Sequence, residues 1–210
     1  MILLSTLMLI ASVKEKQIDV LEPQLRKSVL ASALESGDLL FMTTDQVSSK
    51  LIRFVTKGPY SHVALYSGQE GGVHWIIDAT TKAGVTKRSL SECLKESRYI
   101  VAARMPKLTK IQRDIIVGHA AKQLGKEYDY FGAIASARVM VGSKELAIRF
   151  TQDDQKFYCS ELLVESFDAL GLKDLSLAVS ATGTSPNDLR VQSLTKRLEF
   201  IGLVHAQASK

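Results

Sequence analysis

Lys156-Phe157-Tyr158-Cys159-Ser160-Glu161-Leu162-Leu163 is the stretch on which the fold turns. Residues 157–170 carry the apolar spacing of a helix, Gly171 stops it, and the cysteine stands in its first turn. A thiol there meets the positive end of the helix dipole and unpaired backbone N–H groups, both of which favour the thiolate. The same amides can face an oxyanion formed by attack on a carbonyl. A buried structural cysteine is the alternative, since free cysteine is among the most buried residue types. Cys93 lies mid-helix in Ser91-Glu92-Cys93-Leu94-Lys95, where the structural reading is the stronger. Two cysteines make no disulfide framework, and no C-x-x-C or Cys/His cluster points to a structural zinc site.

A cysteine nucleophile needs a base. Of the four histidines, His119 lies inside a helix beside Ala120 and Ala121, His205 stands near the end of the sequence, and His74 opens a strand after a glycine-rich turn. His62 begins the strand 61–67 directly after Gly58-Pro59-Tyr60, where a side chain can project from the sheet end into a cleft. The imidazole's second nitrogen needs a holder, and Asp78 in Trp75-Ile76-Ile77-Asp78-Ala79 is the candidate. An acid in so apolar a strand costs stability unless it is paired. If strands 61–67 and 73–79 form a hairpin with 67 against 73, His62 faces Asp78, with Cβ atoms about 4.5–5.5 Å apart. A structural histidine and a solvent-facing aspartate are the alternatives.

Elsewhere short strands and helices follow one another. Apolar residues between Lys14 and Leu34 predict one or two helices, broken near Pro23. Residues 39–42, 73–79, 84–87 and 99–104 read as strands, and 47–57 as an amphipathic helix stopped by Gly58-Pro59. Ser89-x-x-Glu92 and Thr109-x-x-Gln112 are capping boxes, the second opening a helix that runs to Leu124 and ends at Gly125. A further helix is expected over 130–140, a polar loop over 143–156, a Ser/Thr/Gly/Pro-rich loop over 180–186, a helical turn over 188–194 and a last strand over 198–205. The pattern is α+β: a small antiparallel sheet packed against helices. Residues 1–36 are read as an N-terminal helical extension and 37–210 as the main domain.

The 210 residues suit one good core, and 46% hydrophobic, 23% charged, 13 Gly and 4 Pro exclude a disordered or low-complexity chain. No apolar run approaches the roughly 20 residues that span a bilayer. Residues 1–13 have the length of a signal-peptide core, but Lys14 and Lys16 follow it where a basic segment should precede it. A core helix or docking segment fits better, and the compartment stays open. The net charge of +5 favours an anionic partner such as a cell wall or phospholipid without choosing between them. Basic residues are dispersed and not interleaved with aromatics, which argues against nucleic acid. No residue pattern asks for a cofactor or a metal.

Taken in order, Gly37-Asp38-Leu39-Leu40-Phe41, Tyr60-Ser61-His62-Val63-Ala64-Leu65-Tyr66 and Ile77-Asp78-Ala79 resemble the NlpC-type papain-like cysteine peptidases. There a G-D-L-x-F strand precedes an H-V-x-I-Y strand that bears the catalytic histidine. Ordinary members place the cysteine helix first; here it comes last, which is the circularly permuted order. Tyr158-Cys159-Ser160-Glu161-Leu162 and Gly125-Lys126-Glu127-Tyr128-Asp129 are similar to the YiiX/YebB-like branch. The resemblance implies a papain-like half-barrel with Cys159 as nucleophile, His62 as base and Asp78 as the orienting group, where relatives often carry glutamate. It implies a cleft-lining Tyr128, with its hydroxyl as an oxyanion donor or, alternatively, as a core aromatic. Tyr158 and Ser61, beside nucleophile and base, are further oxyanion or substrate contacts.

The implied reaction is acyl transfer from an amide through a Cys159 thioester. In the family resembled, the amide commonly lies in peptidoglycan stem peptides. The chain would then work in the periplasm or at the cell wall, in wall remodelling or as an antibacterial effector with an immunity or carrier partner. Lipid chemistry is the rival: permuted thiol acyltransferases and phospholipases related to lecithin retinol acyltransferase carry N-C-E-H-F at the cysteine. They often place a second histidine where Asp78 stands. A non-catalytic wall-binding domain is a third reading, and the intact Cys/His/Asp set argues against it.

Overall fold

The structure, a computed structural model, describes residues 28–44, 47–56, 58–129, 132–133, 156–171, 184–191 and 198–205. Its strands are β1 (Ser28–Leu30), β2 (Leu39–Thr43), β3 (His62–Glu70), β4 (Val73–Thr80), β5 (Gly84–Ser89), β6 (Tyr99–Arg104), β7 (Glu127–Tyr128), β8 (Lys156–Phe157) and β9 (Glu199–His205). All but β7 and β8 join one sheet in the order β1-β9-β6-β2-β3-β4-β5, wider than the small sheet expected. Only β1 and β9 are parallel within it; β7 and β8 form a separate parallel pair. The helices are α1 (Val47–Thr56), α2 (Leu90–Glu96), α3 (Lys110–Lys122), α4 (Cys159–Asp168) and α5 (Pro186–Val191).

Strand alternation divides the sheet's side chains between two cores. Leu39, Phe41, Val63, Leu65, Ile77 and Val101 face α3 and α4, which close over them with Ile116, Leu162, Leu163 and Phe167. Leu40, Met42, Ala64, Tyr66, Ile76 and Ile100 face Leu90 and Cys93 of α2 and Val29 of β1. Because both faces are covered, β2 reads as an unbroken apolar run. Ser89 and Thr109 cap α2 and α3 as the sequence predicts. Each hydroxyl accepts an N3 amide at 3.3 Å, and the Glu92 and Gln112 side chains accept the cap amides in return.

Two expectations are corrected. The helix predicted to reach Leu34 gives way to a strand at Ser28–Leu30 and a single 3-10 turn at Ala31–Ala33. Val29 is buried and Leu30 is 45% exposed, an alternation that suits an edge strand, and β9 offers an open backbone edge to pair with. The second correction concerns register. Gly71 and Gly72 take φ of 58° and 80° and close a two-residue turn, so the hairpin pairs Glu70 with Val73. A bulge at Ser67 then shifts the ladder, leaving Leu65 opposite Ile77. Continued to its start, β3 sets His62 against Thr80 and not against Asp78. The rest of the predicted N-terminal helix, the helix over 130–140 apart from 132–133, and the loop over 143–155 lie outside the described residues.

Both ends of the sheet carry a buried aspartate. At the end away from His62, Arg104 grips Asp38 with Nε at 2.8 Å and Nη2 at 2.7 Å, and the Glu35 amide donates to it at 2.8 Å. Arg104 and Arg113 both also pair with Glu35. On the β5 edge, Val85 N–H donates to the Lys126 carbonyl at 2.8 Å and Gly125 N–H to the Val85 carbonyl at 2.9 Å. Gly84 makes this approach feasible: at φ 64° it is in a region that favours glycine, and a Cβ would run into the Lys126 carbonyl.

Candidate active site

Cys159 opens α4 because Tyr158 is extended (φ −100°, ψ 167°) and serves as the N-cap, its amide donating to Glu161 Oε2 at 3.4 Å. Leu162, Leu163 and Phe167 then carry the helix into the core. The cysteine residue is 5% exposed. Its neighbour Ser160 is wholly buried and donates from Oγ to the Thr184 carbonyl at 2.6 Å.

His62 begins β3 behind a loop held on two sides: Thr43 Oγ1 donates to the Pro59 carbonyl at 2.6 Å, and Ser61 N–H to the Met42 carbonyl at 3.1 Å. The imidazole Nε2 is hydrogen-bonded to Asp78 Oδ1, and Cys159 lies close enough to the ring to act on its charge. Alternation places His62 and Asp78 on the α2 side of the sheet, whereas Cys159 belongs to the α4-side core. As the first residue of its strand, His62 can reach round the sheet end to both. The two-residue error in register therefore leaves the pair intact, because a diagonal neighbour on the same face is within reach of a long side chain.

Asp78 is 1% exposed, so it is not the solvent-facing aspartate that the sequence left open. Its second oxygen faces Arg88 Nη1 at 3.4 Å, and the other end of that guanidinium holds Glu96. Arg88 is a residue that the sequence reading missed. Its only signal is an offset of two from the position opposite Asp78 on β5, and that needs the register. Burial alone would pull the His62 pKa down; the charges of Asp78 and Cys159, with the hydrogen bond to Asp78, outweigh it and hold His62 well above 6.5. Cys93 differs: burial, with Asp78 nearby, pushes its thiol up to about 12.

The remaining candidates are placed as follows. Tyr128 pairs with Phe157 across β7 and β8, so it runs beside the strand that leads into Cys159. It lines a cavity of about 470 Å³ with Thr81, Lys82, Lys126 and Lys156. Tyr158 is buried at the helix cap, and Ser61 Oγ is buried beside His62 with no hydrogen-bond partner among the described residues. His74 is bonded to the Tyr66 hydroxyl at 2.6 Å and His119 to Ser166 at 3.5 Å; both are engaged elsewhere. Among the described residues no group of three or more His, Cys, Asp or Glu could hold a metal ion.

Residues 33–139 match the family described as permuted papain-like amidase enzyme, YaeF/YiiX, C92 family, a span that holds His62, Asp78 and Tyr128 and ends ahead of Cys159. The chain is 30% identical over 185 residues to the probable lipoprotein peptidase YaeF of Escherichia coli K12. That match covers 78% of this chain, and the chain spans 65% of the relative's length. The fold is similar to that of the metalloprotein YiiX from Escherichia coli O157:H7, with a TM-score of 0.60 at 20% identity over 80% of this chain and 96% of that one.

Proposed function

The chain belongs to the permuted papain-like amidases of the YaeF/YiiX type, and from that premise we propose a cysteine hydrolase that cleaves an amide bond in peptidoglycan stem peptides at the cell envelope. The observation that carries the chemistry is the double engagement of His62, with Asp78 on one side and Cys159 on the other. An imidazole so held keeps its ring oriented and its charge opposite the sulfur.

In this reading the Cys159 thiolate attacks the amide carbonyl, and its electron pair moves onto the oxygen. The amides of the first turn of α4, with the Tyr128 hydroxyl, stabilise that oxyanion, and Ser61 and Tyr158 shape the surroundings. His62 gives its proton to the leaving nitrogen as the tetrahedral intermediate collapses to the thioester. Water, deprotonated by the now neutral His62, attacks the thioester and restores the thiolate and the imidazolium. Asp78 holds the ring throughout. What supports the wall substrate is the +5 charge, suited to an anionic polymer. What supports the envelope is the word lipoprotein in the relative's name.

The test is to incubate the protein and Cys159→Ala with muropeptides and, separately, with phospholipid vesicles. Release of peptide or amino acid by the wild type alone is the expected result. Release of fatty acid with no peptide would replace this reading with the lipid one, and no product from either would leave a binding domain.

A further inference from the structure

The segment Thr184–Asn187 touches both halves of the site, and its own start is fixed locally. Ser185-Pro186-Asn187-Asp188 is a capping box with proline at the first helical position. Ser185 N–H donates to Asp188 Oδ2 at 2.7 Å, and Asp188 N–H donates to Ser185 Oγ at 3.2 Å. Leu189, fully buried, anchors α5 in the α4-side core. From that start the buried Asn187 amide reaches the loop ahead of the base. Its Oδ1 accepts the Tyr60 N–H at 3.1 Å, and its Nδ2 donates to the Tyr60 carbonyl at 2.7 Å and to Thr56 Oγ1 at 2.6 Å. Gly58 is shaped to this contact, since a Cβ there would overlap Asn187 Cγ and Oδ1. On the opposite flank, Ser160 donates to the Thr184 carbonyl. An unbroken path of bonds thus runs from the residue after Cys159 to the residue two before His62.

We propose that Asn187 is a positioning residue, and that Thr184–Asn187 is a brace that holds the His62 imidazole in place beside Cys159. The inference rests on the thiol-hydrolase reading and extends it. Asn187 holds both backbone polar groups of Tyr60 and thereby the direction in which the chain leaves for Ser61 and His62. Without it, both backbone polar groups of Tyr60 lose this partner and the loop, still tied at Pro59 and Ser61, shifts to re-pair them; a displacement of about 1 Å at a reacting group costs on the order of a hundredfold in rate.

The experiment reads the Cys–His pair without any substrate. In wild type, Asn187→Ala and Gly58→Ala, the His62 ring is titrated by NMR and the alkylation of Cys159 by iodoacetamide is followed by peptide mass spectrometry, with melting curves to confirm folding. Asp78 and Cys159 are the ionisable groups facing His62, with Arg88 behind Asp78, and none of these is altered. Asn187→Ala is expected to move the His62 midpoint down toward 6.5 and to slow Cys159 alkylation on the order of tenfold. Ile116→Ala, a loss of packing in the same core away from the brace, should lower the melting temperature yet leave both readouts unchanged. Gly58→Ala should reproduce the Asn187→Ala effect, and the double variant should add little to it, as expected of two changes acting through one contact.

A folded Asn187→Ala with wild-type titration and alkylation overturns the proposal while leaving the hydrolase reading standing. If Asn187→Ala does not fold, Gly58→Ala decides by the same readouts. A wild type whose His62 midpoint lies at the ordinary value and whose Cys159 reacts no faster than Cys93 overturns both.

Discussion

Asp38 and Asp78 are the same residue type, equally buried, at opposite ends of one sheet, yet their surroundings differ in kind. Burial pushes the Asp38 carboxyl up, and Arg104, aided by the Glu35 amide and by Arg113, only partly offsets it. Its cationic partners are arginines, whose charge does not change in the accessible pH range. Asp78 shares one arginine with Glu96 and spends its other oxygen on a histidine, the side chain whose proton moves most readily near neutrality. A carboxylate fenced by permanent charges holds strands in place; one that faces an imidazole can orient a group whose proton moves. Burial alone does not tell the two apart.

The comparison is sharpest in the partners. His62→Ala should lower turnover by about 10²–10⁴, the usual contribution of a positioned proton carrier, with a smaller loss of stability than Asp38→Ala gives. A large loss of stability instead would make the Asp78 end a second scaffold. Asp38→Ala should do the reverse: urea unfolding should show a loss of about 3 kcal/mol, while Cys159 in the folded fraction alkylates at its wild-type rate. That figure is the low end for a broken buried pair, because Arg104 keeps part of its surface in water and retains Glu35.

Asp78→Asn should cost less in turnover than His62→Ala, since an amide oxygen can still hold the ring. A loss as deep as that of His62→Ala would give the aspartate more than an orienting part. The smallest effect is in pH. The folded His62 pKa lies above the unfolded value, so its contribution to stability is complete below about pH 6.5 and is lost as pH rises through the folded value. Unfolding free energy should therefore fall across that window by at most about 1.4 kcal/mol per pH unit, and the slope should flatten in Asp78→Asn.

The sequence made the elements and the three central side chains readable, each for a local reason. Ser89 and Thr109 announce their helices through partners three residues on, and Cys159 announces itself by its place at a helix start. The His62–Asp78 contact was read correctly from a wrong register: the alternation of strand faces survives a slip of two, but the Ser67 bulge and the tight Gly71-Gly72 turn could not be counted in advance. Arg88 and Asn187 stayed hidden because their partners lie across strands or far along the chain. Ser185-Pro186-Asn187-Asp188 does signal a helix start, yet no local pattern says that its asparagine reaches Tyr60. Asp38 stands in the Gly-Asp-Leu motif with no local sign of its partners; its arginines come from β6 and α3, which only the folded sheet brings to it.

Residue 84 shows how two segments can depend on the absence of a side chain. The two backbones that meet there are separated by a hydrogen atom, and any side chain would act as a wedge between the β5 edge and the chain running into Tyr128. An allele carrying alanine at this position would leave Cys159, His62 and Asp78 unaltered and still push the β5 edge away from Lys126, a change invisible to anyone who inspects those three residues alone.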